Sequence, residues 1–526
     1  MLNEEKEILQ YIKEAFSLRS QELYKPAVEM LYKALSLDND NIEVLFQLGE
    51  LYALMHNCQR AAGYLEQVLA KNPEHVESLQ LIRKIHENNG QLKDSMKYAQ
   101  KLYDLMQTPE NLKEIVKLAG KLKMTDKLFE YQNSQHCSEE VLYEIANALY
   151  ENGKIAGAKE ILEKHQNSGN ENLKILLGKI YFDENDFTSA RKIFSQFGKN
   201  TENPEVLNFQ GLFALEDMDF TEAVKCFSKA SNINKNNPVY FYNLANAYFF
   251  NGWMEEAQKA YAKAIYLSPD NMDYRYSLAY LYFETKAFDK CKKEVDAILS
   301  ICPEHYRTRI LNALLLNENK EYMKAKEILE ENFKSNPEDD FNLTSLAKTY
   351  SLLDMFEKAE KTMQKVIAKN PGNLNYISDL ADIYIREKKF DTALETADKI
   401  IQLNPNYVYG YIIGARTAFA KEDFDLTKHY AQEALALDMN CSEGYYYLAL
   451  VRTKENDLDE AVECMKRAIT YDLTNPKYYA EMSKIYKSKD DIKTALDYIS
   501  EAAGIDNSTE YKLMYKELAA LNRKNA

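Results

Sequence analysis

One spacing constrains this chain more than anything else in it: prolines stand at 269, 303, 337, 371 and 405, each 34 residues after the last. Proline cannot continue a helix, so each can end one at the same point of a repeating unit. The clearest unit is PVYFYNLANAYFFNGWMEEAQKAYAKAIYLSPDN, from Pro238 to Asn271. With Pro238 as position 1, large residues occupy positions 4, 7, 11, 17 and 24 (Phe241, Leu244, Tyr248, Met254, Tyr261), and small ones occupy 8, 20 and 27 (Ala245, Ala257, Ala264). Two apolar stripes at helical spacing, broken at Asn251-Gly252 and closed by Pro269, predict two short amphipathic helices folded back as an αα-hairpin.

Nine such units run in register from 204 to 509. Position 8 is small in all nine, from Gly211 and Ala245 through to Ser483, and position 20 is small from Ala223 to Ala495, with Cys291 and Thr427 standing in for alanine. Small residues at both places let two helices approach closely. Position 17 carries the filler, Phe220, Met254, Phe288, Tyr322, Phe356, Phe390, Phe424, Leu458 and Ile492. Asp289, Asp391, Asp425 and Asp459 recur at position 18, where a side-chain oxygen is expected to cap the second helix.

This pattern resembles the tetratricopeptide repeat, matched position by position from 204 to 509. The resemblance implies an all-α fold of about 14–15 repeats, αα-hairpins stacked into a right-handed superhelical solenoid, with the first helix of each unit lining a concave groove. It also implies that positions 2, 5, 9 and 12 of the first helix face that groove. In the units at 238, 272 and 306 these positions include Tyr242, Asn246, Phe249, Tyr276, Tyr280, Phe283, Ile310 and Leu314, read here as one aromatic wall for a partner. Burial of some of them between neighbouring units is the competing reading. A smaller group, Tyr409, Ile412, Phe419, Tyr446 and Leu450, repeats the idea further along.

The same ruler divides the rest of the chain. Residues 1–109 hold an N-terminal block of about three looser repeats, with Ala27, Ala61 and Ser95 at position 20. Residues 110–203 hold irregular hairpins, weakest at 110–138, where a shortened hairpin competes with a joint between blocks. The regular array occupies 204–509, and 510–526 reads as a capping helix with a polar outer face, since the last repeat would otherwise expose its apolar side. About thirty helices and almost no strand are expected.

Composition narrows the function. A net charge of −16 disfavours nonspecific nucleic-acid binding, which needs an excess of Lys and Arg. No stretch is apolar enough to insert in a membrane, and MLNEEKEILQ lacks the basic start and apolar run of a signal peptide, so a cytoplasmic chain is expected. Seven cysteines without a C-x-x-C pair fit a reducing compartment.

Catalytic constellations are missing from the pattern, and neither enzyme activity nor a cofactor or metal is expected. GKIAGAK at 153–159 lacks the Gly-Lys-Ser/Thr ending of a phosphate loop and reads as a repeat turn. Apart from Cys302 and His305, which flank Pro303, no histidine lies three or four residues from another His or Cys. The adjacent His136-Cys137 read as turn residues rather than a dyad. An asparagine ladder like that of O-GlcNAc transferase would need Asn at positions 6 and 9 throughout, and only Asn243 and Asn246 match. Lys477 and Lys484 do not complete a carboxylate clamp of the co-chaperone kind. Trp253, beside Gly252, reads as packed over the adjacent hairpin, with an exposed anchor as the alternative. The function expected is a scaffold that binds a protein or peptide partner along the groove, the alternative being an accessory subunit of a larger assembly or of a glycosyltransferase or cell-envelope enzyme system.

Overall fold

The computed structural model describes residues 2–198, 200–506 and 508–525. Within them there is no strand: the chain forms fifteen αα-hairpins, one short 3-10 turn at Ser195–Phe197 and a final helix, Thr509–Asn525. Two compact units divide the chain, Met1–Leu267 with eight hairpins and Ser268–Ala526 with seven and the final helix. Inside each unit the second helix of a hairpin packs on the first helix of the next, making an all-α solenoid of stacked hairpins. No described helix is long and apolar enough to cross a membrane.

From Pro204 onward every first helix spans 13 residues and every second helix 14, in strict 34-residue register. The small positions explain why the hairpins close. Ala245, Ala279, Ala313, Ala347, Ala381, Ala415 and Ala449 at position 8 are fully buried, as are Ala257, Cys291, Ala325 and their equivalents at position 20. At Gly211 an added Cβ would lie 2.7 Å from the Phe227 ring, so the absent side chain makes room for a large one across the hairpin.

The turn between the helices is set by a left-handed residue at position 15: Met218, Gly252, Lys286, Lys320, Asp354, Lys388, Glu422, Asn456 and Asp490 all have positive φ. The next amide reaches back into the ended helix, as from Trp253 N–H to the Tyr248 carbonyl at 2.9 Å. This turn moves the cap away from the expected place. Asp289, Asp391, Asp425 and Asp459 lie inside the first turn of the second helix. The capping oxygen comes from position 16 instead, Asp219, Asp423, Asp457 and Asp491, each accepting a backbone N–H three residues on. Asp391 is free of the cap and pairs with Lys421 of the next hairpin at 2.6 Å.

The irregular stretch is a hairpin of unequal helices. Pro109–Lys121 buries Leu112, Ile115, Val116, Leu118 and Ala119, whereas Thr125–Tyr131 has seven residues and buries only Leu128. Gly120 faces the Ala148 methyl at 2.7 Å from where its own Cβ would be, which lets the Glu139–Glu151 helix approach closely. Gly153 turns that hairpin with φ 74°, in the role expected of GKIAGAK.

The final helix buries Tyr511 and Leu518 against Ala495, Ile499 and Ala502. Its other side is less polar than expected, since Leu513 and Tyr515 are exposed.

Candidate partner-binding faces

Positions 2, 5, 9 and 12 form one stripe on each first helix, and the structure separates them by depth. Position 5 is the deepest. Ile310 and Ile412 are fully buried, and Asn208, Ser378 and Ala480 nearly so. Ile310 belongs to the core with Ala313, Leu329 and Leu346, so it leaves the wall in which the sequence placed it, and Ile412 likewise sits in the core beside Ala415 and Tyr447. The reason is geometric: this position points toward the first helix of the neighbouring hairpin, and an aliphatic side chain of that length fits entirely in the gap. Tyr242, Tyr276 and Tyr446 occupy the same position but are too large to be swallowed, and stay half-buried.

In the unit 1–267, Tyr242, Asn246 and Phe249 of the helix Pro238–Phe250 are all half-buried. The Tyr261 hydroxyl donates to Asn246 Oδ1 at 2.6 Å, and its ring lies 5.9 Å from that of Tyr242. The amide oxygen of Asn246 is therefore engaged within the hairpin. Asn243, the other asparagine of such a ladder, is buried and hydrogen-bonded to Asn208 instead.

In the unit 268–526, Tyr276, Tyr280, Phe283 and Leu314 are half-buried. The Tyr276 and Tyr280 rings stack at 6.3 Å, Tyr276 also approaches His305 at 6.2 Å, and Phe283 meets Phe288 at 5.7 Å. Burial raises the Tyr280 phenol, so it stays neutral and acts as an amphipathic surface.

Further along this unit the stripe turns polar in a way the sequence reading missed. Arg416 Nη2 donates to Asp382 Oδ1 one repeat back, and Lys348 holds Asp379 at 2.9 Å. Burial raises the Asp382 carboxyl, with Arg416 opposing, and burial likewise raises Glu443 one repeat on. The signal was available, since Asp382 and Arg416 both stand at position 9.

The other candidates do not assemble. Cys137 is half-buried and burial pushes its thiol up, the reverse of what a nucleophile needs, while the His136 ring sits edge-on to Tyr103. Among the described residues no three His, Cys, Asp or Glu side chains gather as a set that could hold a metal ion.

Tetratricopeptide repeat models match residues 43–75, 239–271 and 442–475, and a model described as Psidin, N-terminal TPR repeats region, matches 273–413. The chain is a tetratricopeptide repeat protein. No curated protein matches it. Among solved structures, the Cut9–Hcn1 hetero-tetramer of the APC/C is 14% identical, covers 84% of this chain and 96% of its own, and superposes with a TM-score of 0.45. A tetratricopeptide repeat protein from Parabacteroides merdae is 18% identical over 47% of this chain and 98% of its own, with a TM-score of 0.40. Yeast Tom70 is 16% identical over 82% and 96%, with a TM-score of 0.39. Such a repeat array is a protein-interaction scaffold, and no catalytic family is among the matches.

Proposed function

We propose that the first-helix stripes hold an apolar segment of a partner protein. In the unit 268–526 the contact surface is Tyr276, Tyr280, Phe283 and Leu314; in the unit 1–267 it is Tyr242 and Phe249, with the Asn246 NH2 group donating to the partner's backbone. The observation that carries this reading is the half-exposure of tyrosine at position 5, where other repeats place residues small enough to vanish into the core. Rigid aromatic side chains left partly open offer large contact area at low entropic cost. A stripe meant only for water would not need them.

A photo-crosslinking residue placed at Phe283, and in a second variant at Phe249, should capture one defined partner segment in the native cell, identified by mass spectrometry. The same residue at the exposed Lys293, on the outer side of a second helix, serves as the control. Capture at Lys293 and none at Phe283 or Phe249 would overturn the assignment. Alanine at Tyr276 and Tyr280 together should abolish capture by the residue at Phe283 with the helical content unchanged.

A further inference from the structure

A second surface lies on the turn edge of the unit 1–267. Three large apolar residues are exposed where the 204 and 238 hairpins turn: Met218 (76%), Phe250 (57%) and Trp253 (48%). Phe220 and Phe250 stack at 5.8 Å and so join the turn at 217–219 to the turn at 251–253. Trp253 does not lie buried over the adjacent hairpin; its ring rests 5.8 Å from Tyr248 and keeps nearly half its surface in water.

The repeat supplies its own control for whether these residues are needed to fold. Position 13, Phe250 here, is charged in five of the eight other repeats (Glu216, Glu284, Glu318, Arg386, Lys454) and Leu352, Ala420 or Ser488 in the rest. Position 15, Met218 here, is Lys, Asp, Glu or Asn in seven of the nine repeats. Position 16, Trp253 here, is the capping aspartate in four. Packing of the hairpin therefore does not demand apolar groups at these places. One of them costs local stability, since an indole cannot accept the N–H that aspartate caps. Residues that break local rules without a packing gain mark functional places.

The rim is predominantly acidic. Glu216, Asp217, Asp219 and Glu222 flank Met218, and Glu255 and Glu256 follow Trp253, with no Lys or Arg in 216–222 or 251–256. Arg191 reaches Glu216 and Asp217, and Lys225 reaches Glu222, which leaves Asp219, Glu255 and Glu256 exposed. An apolar patch with an acidic rim complements a segment that is apolar on one side and basic on the other, and repels an anionic membrane.

From this we infer that the Met218–Phe250–Trp253 edge docks a basic amphipathic segment of a partner protein, a surface that meets the first-helix stripe where the Phe249 and Phe250 rings touch edge to face at 5.6 Å. The chain has one tryptophan, so its emission reports directly on this edge. A synthetic amphipathic peptide of leucine and lysine, titrated into the full chain, should shift Trp253 emission to the blue in a saturable way. The shift should weaken with added salt. Met218→Lys with Phe250→Glu, residues that other repeats carry at these positions, should weaken the peptide by roughly tenfold or more, and Glu255→Lys with Glu256→Lys should weaken it independently. Absence of a shift, or an equal shift with a leucine–glutamate peptide, overturns the proposal, and that comparison needs no variant to fold. An equal affinity in the Met218→Lys, Phe250→Glu protein overturns it as well. A shift with phosphatidylglycerol vesicles and none with the peptide would assign the edge to membranes, and a Phe250-dependent dimer in sedimentation would assign it to a second copy; either result replaces the proposal.

Discussion

Asn243 donates from Nδ2 to Oδ1 of Asn208 at 2.8 Å, a buried bond between two first helices that ties the 204 and 238 hairpins together. Both side chains sit where water cannot replace a lost partner. Asn208→Ala should therefore destabilise the pair of hairpins by about 1–3 kcal/mol, the cost of leaving a buried amide donor unsatisfied. Urea unfolding followed by hydrogen exchange over 204–267 measures it. A neutral result would mean that another acceptor takes over the Asn243 amide.

Lys388 sits in the left-handed turn with φ 63°, exposed, in a conformation that costs a residue with a Cβ about 1–2 kcal/mol and glycine almost nothing. Lys388→Gly should raise stability by about 1 kcal/mol net of the added freedom of the unfolded chain. Lys388→Val should lower it, because a β-branched side chain tolerates this region worst. Paired thermal melts decide the sign.

The helix Thr125–Tyr131 is held by one buried residue, Leu128, while its partner Pro109–Lys121 buries five. Amide exchange should be fast over 125–131 and slow over 112–119, so that local opening is confined to the short helix rather than spread across the stretch. Uniform protection of both helices would contradict this.

Asp382 carries a pH signature. Burial raises its folded pKa above the unfolded value of about 3.9, so the folded protein holds this proton more tightly. Stability from this group is present below the unfolded pKa and is lost as pH rises through the folded one. Against Asp382→Asn as reference, the wild-type protein should lose stability as pH rises from the unfolded value, and the difference should level off above the folded pKa. Carboxylates held below their ordinary range, such as Asp459 beside Lys489, act in the opposite direction but cancel in this comparison. A difference that grows in favour of the wild type with rising pH would show that Arg416 outweighs burial.

Much of this molecule is written in single repeats. The register of prolines, the small residues at positions 8 and 20 and the filler at 17 are requirements of one hairpin closing on itself. The helices from Pro204 to Ile505 could therefore be read from residue sizes at fixed spacing. What one repeat cannot encode is what its neighbour does to it. Whether a position 5 side chain sinks, as Ile310 does, or stays half-open, as Tyr276 does, depends on the gap between adjacent first helices and the bulk that must fit it. The pairing of Arg416 with Asp382 is likewise a contact between repeats, invisible in either alone. The cap moved from position 18 to 16 because the left-handed turn at 15 sets where the second helix begins, a backbone property that side-chain type announces only at Gly252. Exposure at Phe250 and Trp253 was settled by tertiary structure for the same reason: a large apolar residue reads as core until the packing around it is known to be complete without it.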